Sequence, residues 1–165
     1  MGSGKIWDLY EEYPEVFAGL MPVSALFPVY TSFFGCPPKE NLNKTVPVPV
    51  FYSGGEKSPL PELPCQAATA LERVQYVAEV NKLKKNLARL SFEQKDTWED
   101  TFYGLSGERV EKVLDPSRGS TLTIQYYNSE DGVCRTAFAS VSGQVHECRH
   151  HSIENAWKFI SQFRS

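Results

Sequence analysis

The stretch Ala139-Ser-Val-Ser-Gly-Gln-Val-His-Glu-Cys-Arg-His-His-Ser152 decides the fold of this 165-residue chain. Its small and apolar start favours a buried strand, Gly143 favours a turn, and the turn leads to His146. Residues 153–163 then place five apolar side chains on one predicted helical face: Ile153, Ala156, Trp157, Ile160 and Phe163. Ser152 is a typical N-cap residue, so we expect the helix to begin there. A strand, a histidine loop and a closing helix are typical of the trailing half of an α/β sheet protein, whose functional loops follow its strands.

The preceding segments alternate between helix and strand patterns. Residues 6–13 have apolar side chains at helical spacing, and residues 17–24 form a short apolar run that favours a strand buried on both faces. Residues 46–52 favour a second strand, although the prolines in this stretch restrict pairing to its later part. Residues 66–90 have helical periodicity, and we expect the helix to break near Asn81.

The last third of the chain is rich in strand patterns. Residues 108–114 can pair, and residues 121–126 alternate polar with apolar side chains, which predicts a half-buried strand. Residues 128–132 end in Asp-Gly and predict a hairpin turn, with 133–141 as the returning strand. The chain is therefore expected to be a single α/β domain spanning 1–165, with about three to five strands and flanking helices.

Composition narrows the classes of function. The formal net charge is −3 and the only basic run is 82–85, which argues against nucleic acid as the main partner. No apolar run approaches the roughly 18 residues of a membrane span. The four cysteines are scattered and have no C-x-x-C spacing, so neither a disulfide framework nor a structural zinc site is predicted. We expect no cofactor, and the composition leaves the cellular compartment open.

Residues 25–45 form a long loop rich in proline, asparagine and aromatic side chains. A loop of this length in a compact domain usually shapes a binding site or covers one. Phe33 and Phe34 are therefore candidate contacts for an acyl or aromatic group of a substrate, and packing under a lid is the alternative.

The same stretch spells His146-Glu-Cys-Arg-His150, which matches the H-E-x-x-H zinc pattern. That chemistry needs both histidines on one helical face, with Glu147 as the base. A helix that begins at Ser152 would leave this segment in a loop, and the third ligand would have to be His151 or a carboxylate such as Glu154. We therefore predict no metal site, and a purely structural role for the first histidine remains a third interpretation.

Several segments, taken in order, resemble a known family of hydrolases. They are Tyr13-Pro-Glu-Val-Phe-Ala-Gly-Leu-Met-Pro-Val-Ser24, the Gly-Gly-Glu loop at 54–56, Ser129-Glu-Asp-Gly132, Gly143-Gln-Val-His146 and Ala156-Trp-Lys-Phe-Ile160. The chain resembles the C-terminal half of an α/β-hydrolase, of the polyhydroxybutyrate-depolymerase and feruloyl-esterase type of serine esterase. The resemblance implies acyl transfer on small or polymeric carboxylic esters.

The resemblance also implies a catalytic triad in the chain order serine, acid, histidine. His146 matches the general base. Ser58 stands where the family has aspartate, so Glu56 or Glu62 in the same loop is the candidate acid. The backbone amide of Met1 matches one donor of the oxyanion hole.

Met1-Gly2-Ser3 resembles the end of the family's nucleophile elbow, which would place the nucleophilic serine immediately before Met1. The expectation is then that the N-terminal strands and the elbow are missing, and the alternative is that these first residues are a tag. Ser3 is a poor replacement nucleophile, because it falls in a first helical turn. We expect such a chain to be inactive alone and to self-associate through the exposed edge at 17–23. A non-catalytic binding remnant is the second functional hypothesis.

Overall fold

The described residues form three α-helices and a four-stranded sheet. The structure is a computed structural model and describes residues 2–24, 26, 42–59, 67–85 and 106–163. The elements in chain order are α1 (Gly2–Glu12), β1 (Val50–Gly55), α2 (Ala67–Val80), β2 (Arg109–Asp115), β3 (Ser120–Tyr127), β4 (Thr136–Val141) and α3 (His150–Ile160). Short 3-10 turns occupy Pro14–Val16 and Ser161–Phe163. None of the described helices has the length and apolarity needed to cross a membrane.

The sheet has the order β1-β4-β3-β2 and is mixed. β1 and β4 are parallel, whereas β4, β3 and β2 form antiparallel pairs. The predicted hairpin turn at 128–132 joins β3 to β4, and its Gly132 has a φ of 85°, which suits glycine. The expected α/β class and the number of strands are confirmed.

The sequence predicts a strand at 17–24. The segment lies beside β1, but it is not a regular strand. Phe51 N donates to Leu20 O at 3.0 Å, and Ser53 N donates to Pro22 O at 3.1 Å, which is a parallel ladder. In this ladder the backbone nitrogen of residue 22 would donate to the Phe51 carbonyl. Residue 22 is a proline and has no N–H, so this hydrogen bond is missing. The segment therefore forms isolated bridges to β1 instead of a continuous strand.

Helices cover both faces of the sheet. On one face α1 and α2 pack on alternate residues of β1 and β4, in a cluster that includes Trp7, Tyr10, Val50, Tyr52, Val74, Val77 and Phe138. On the other face α3 packs on the remaining positions, in a cluster that includes Phe51, Leu122, Ile124, Ala137, Ala139, Ala156, Phe159 and Ile160. The prediction that β3 is half-buried is consequently wrong, because β3 is buried along nearly its whole length. Its polar Gln125 is only 4% exposed and accepts a hydrogen bond from Gly107 N at 2.8 Å.

The predicted break near Asn81 is confirmed, since α2 ends at Val80. The buried Asn81 amide makes four hydrogen bonds. Its Nδ2 donates to Val48 O (2.9 Å) and to Thr136 Oγ1 (2.8 Å), and its Oδ1 accepts from Val48 N (2.9 Å) and Tyr10 OH (3.1 Å). One side chain thus joins α1, the segment before β1 and the start of β4, with every donor and acceptor of the amide used.

The start of α3 differs from the prediction. The helix begins at His150, with Arg149 in an extended conformation at the N-cap, instead of at Ser152. Ser152 is 1% exposed, and its Oγ has no hydrogen-bond partner among the described residues. The buried face of α3 is Ser152, Ala156, Phe159 and Ile160, whereas Ile153 and Trp157 of the predicted face are 40% and 51% exposed. Ser152 therefore contributes a small side chain to the packing on the sheet and does not cap the helix.

Candidate functional site

The carboxyl ends of β1 and β4 lie side by side, because the two strands are parallel neighbours. Gly55, the last residue of β1, is in register with Val141, the last residue of β4. Beyond these ends Glu56 N donates to Val141 O at 3.0 Å, and Lys57 N donates to Gln144 O at 2.8 Å. The structure thus brings together the two loops in which the sequence placed the candidate acid and the candidate base.

Gly55 allows these loops to touch. A Cβ at this position would lie 2.4 Å from Val145 O and 2.5 Å from Gln144 O. Side-chain Cβ atoms essentially never approach other atoms within 3.0 Å. The loop after β4 therefore packs directly on the backbone of β1, at a distance that only glycine permits.

His146 lies at the exposed tip of a short, closed loop. The chain turns at Gly143, whose φ is 66°, and Gln144 is then 1% exposed. Gln144 Nε2 donates to Glu147 O at 2.9 Å, a bond that spans His146. Val145 is 53% exposed, and His146 is exposed as well. An accessible imidazole on a held backbone suits a residue that reacts with a ligand more than one that fills a core.

Glu56 binds the backbone of the same loop. Its Oε2 accepts a hydrogen bond from Gly143 N at 2.6 Å, a charge-assisted contact with the turn three residues before His146. Among the described residues, the candidate acid Glu56 thus contacts the histidine loop. Ser58, at the position where the resembling family has aspartate, is 3% exposed, and its N–H donates to Gly55 O at 3.1 Å.

The other residues of the predicted site lie outside the described residues. They are Glu62, Phe33, Phe34 and Met1, together with most of the loop at 25–45. Ser3 is described and lies in the first turn of α1, as the sequence predicts. The structure therefore shows where His146, Glu56 and Ser3 lie, and their catalytic roles stay predictions.

The H-E-x-x-H arrangement does not form. His150 is the first residue of α3, whereas His146 lies in the preceding loop, so the two imidazoles do not share a helical face. His150 Nε2 instead lies 3.0 Å from Glu154 Oε1. Within the described ranges, no group of three or more His, Cys, Asp or Glu side chains is placed to hold a metal ion.

A separate cavity of about 410 Å³ lies between the β2–β3 turn and the start of α3. It is lined by side chains of both signs, among them Asp115, Arg118 and His151. The hydrogen bond from Ser117 lowers the pKa of Asp115, and the nearby charge of His151 acts in the same direction. Arg149, also in the lining, donates to Glu147 Oε1 at 2.7 Å and to Ser120 Oγ at 2.9 Å. The sequence does not reveal this cavity, because the β2–β3 turn and the start of α3 are far apart along the chain.

No protein-family model matches the chain, and no curated protein matches it. What the structure itself contributes to a functional proposal is the geometry of the loops after β1 and β4.

Proposed function

We propose that the chain supplies the general base and a supporting carboxylate of a serine-type hydrolase that acts on carboxylic esters. The observation that carries the proposal is the exposed His146 on a fixed loop at the carboxyl end of β4, packed against the carboxyl end of parallel β1 with Glu56. Open α/β sheets bind their ligands in the crevice outside the carboxyl ends of the strands. The resemblance to serine esterases supplies the class of reaction.

In the proposed mechanism His146 accepts the proton of a serine hydroxyl as the oxygen attacks the ester carbonyl. The imidazolium then gives this proton to the departing alkoxide, and an acyl-enzyme remains. Water, deprotonated by the same imidazole, releases the acid and restores the serine. Backbone amides stabilise the oxyanion of both tetrahedral intermediates. A carboxylate near the imidazolium stabilises its charge, and Glu56 or Glu62 is the proposed source.

The nucleophile is assigned to a segment outside the described residues. Ser3 does not fit this role, because it lies in a regular helical turn, whereas a nucleophile elbow presents its serine at a strained strand-to-helix turn. The exposure of His146 agrees with this assignment, because a residue at the surface of the described part of the chain can be reached from another segment.

The replacement of the expected aspartate by Ser58 favours a second candidate, a non-catalytic binding protein that retains the hydrolase scaffold. A buried serine hydroxyl cannot stabilise an imidazolium as a carboxylate does. The two candidates differ in whether any serine in the protein becomes reactive through His146.

A fluorophosphonate probe distinguishes these candidates. We expect the chain itself to remain unlabelled at Ser3. A longer polypeptide in which a Gly-x-Ser elbow is joined to this chain is expected to be labelled at that serine and to hydrolyse p-nitrophenyl butyrate. In that polypeptide His146→Ala should lower kcat by roughly 10⁴-fold or more. His150→Ala is the matched control and should change kcat less than about twofold, since truncations of solvated side chains are usually near neutral.

Labelling that persists in His146→Ala would contradict the assignment of the base. The absence of labelling at every serine of that longer polypeptide would favour the binding protein.

A further inference from the structure

We propose that Gln144 is a positioning residue that fixes the loop presenting His146. The side chain of Gln144 is 1% exposed, and its Nε2 donates to Glu147 O at 2.9 Å. The inference depends on the proposed function only for what His146 does; how the loop is held follows from the contacts themselves.

Gln144 holds the loop from two sides. Its backbone carbonyl accepts the Lys57 N–H at 2.8 Å, which ties the start of the loop to the segment that follows β1. Its side-chain amide reaches over His146 to the Glu147 carbonyl, which ties the far end of the loop to the same residue. The backbone on each side of His146 is therefore anchored to a single buried residue, while His146 itself is exposed.

The side-chain oxygen of Gln144 argues against a role in core packing alone. Gln144 Oε1 is buried and has no hydrogen-bond partner among the described residues. A buried acceptor without a donor destabilises a fold, and a methionine of similar length would fill the same space without that cost. A side chain selected for core packing alone is thus poorly explained as glutamine. The bond from Nε2 across the histidine accounts for it.

The test measures backbone order in the full chain by ¹⁵N relaxation, with the melting temperature recorded alongside. In the wild type we expect order parameters of about 0.85 for Val145, His146 and Glu147, and in Gln144→Met values below about 0.6. Gln144→Glu keeps the length of the side chain but loses the donor, so the same loss of order is expected. The melting temperature of Gln144→Met should stay the same or rise, because the substitution removes the buried Oε1 of Gln144, which accepts no hydrogen bond from the described residues.

Gln125→Met is the matched control. Gln125 is also buried, and its side chain accepts a hydrogen bond from Gly107 N that the methionine variant would lose. Because Gln125 lies within β3, this variant should leave the order of the histidine loop unchanged. Unchanged order in both Gln144 variants, or an equal loss of order in Gln125→Met, would overturn the inference.

Activity provides a second and separable readout. In a polypeptide that hydrolyses esters, Gln144→Met should lower kcat by about 100-fold and leave KM within about twofold, because a displaced base impairs the chemical step more than binding. A loosened loop with an unchanged kcat would overturn the positioning role. Failure to find any hydrolysis would count against the proposed function, whereas the relaxation data would still decide how the loop is held.

Discussion

Gly55 is the point at which the histidine loop packs directly on the sheet, and Gly55→Ala measures the strength of that contact. The added Cβ would lie 2.4 Å from Val145 O and 2.5 Å from Gln144 O. Val145 O has to withdraw by at least about 0.6 Å and Gln144 O by about 0.5 Å, because Cβ contacts below 3.0 Å essentially never occur. Because both atoms belong to the backbone, the whole loop must move.

Two opposing effects set the magnitude. Gly55 lies in an extended strand, so alanine is compatible with the backbone and would stabilise by about 0.4–1 kcal/mol through the unfolded state. Overpacking of a filled site costs about 1–3 kcal/mol. The overpacking term is the larger one where no flexible side chain can yield. We therefore expect the free energy of unfolding to fall by about 1–2 kcal/mol.

Gly4→Ala is the matched control, because it makes the same chemical change in the first turn of α1. A Cβ at Gly4 would meet nothing within 4 Å, so this variant should gain about 0.5–1 kcal/mol from the higher helix propensity of alanine. Urea unfolding followed by tryptophan fluorescence gives both values, provided that the m-value is unchanged. If Gly55→Ala were as stable as the wild type, the loop would yield easily, and its close contact with β1 would not fix the position of His146.

Three further predictions concern stability. Asn81→Leu should lower the free energy of unfolding by about 2–4 kcal/mol, because four hydrogen bonds are lost and their partners stay buried. Chemical denaturation measures this loss, and a value below about 1 kcal/mol would contradict the stabilising role of these hydrogen bonds. Burial, with the hydrogen bond to Glu111, raises the pKa of Tyr126 to about 12, above the unfolded value of about 10. The stability that Tyr126 contributes is therefore present in full below pH 10 and lost as the pH rises through 12; the difference in melting temperature between the wild type and Tyr126→Phe should change over that range and be constant below it. The hydrogen bond from Arg135 lowers the pKa of Asp131, so its contribution is present above the unfolded pKa of about 3.9 and lost as the pH falls through the folded value. Asp131→Asn should lose less stability than the wild type between pH 5 and pH 2, and equal losses in acid melts would contradict it.

The elements of this fold are readable from the sequence where local chemistry decides them. The hairpin at 128–132 follows from Asp-Gly, and the end of α2 follows from the break in periodicity near Asn81. Pro22 shows the limit of this approach: the apolar run around it predicts a strand, but one missing N–H interrupts the ladder to β1. The alternation at 121–126 was misleading for another reason. It reports side-chain chemistry, and Gln125 becomes buried because the sheet is covered on both of its faces.

The candidate site was predictable only in part, because its geometry depends on a contact between distant segments. The positions of Glu56 and His146 after two strands allow both to lie at one edge of the sheet, and this follows from the sequence once the strands are taken as parallel neighbours. The bond from Gly143 N to Glu56 does not follow from it, since no local pattern predicts which backbone amide a loop carboxylate will accept.

The bond between Glu56 and Gly143 separates two roles that a triad acid usually combines. By accepting the Gly143 N–H, the Glu56 side chain holds the turn that leads to His146, and a neutral acceptor could do the same. In the proposed mechanism its negative charge would also stabilise the imidazolium that forms when His146 takes the serine proton. Glu56→Gln keeps an acceptor oxygen and removes the charge, whereas Glu56→Ala removes both. The readout is kcat for ester hydrolysis in a polypeptide that contains this chain and hydrolyses esters. If Glu56 only positions the loop, Glu56→Gln should keep the kcat of the wild type and Glu56→Ala should lower it. If Glu56 is also the acid of the triad, both variants should lower kcat. The geometry of the turn thus converts the choice between the candidate acids into a comparison of two substitutions at one position.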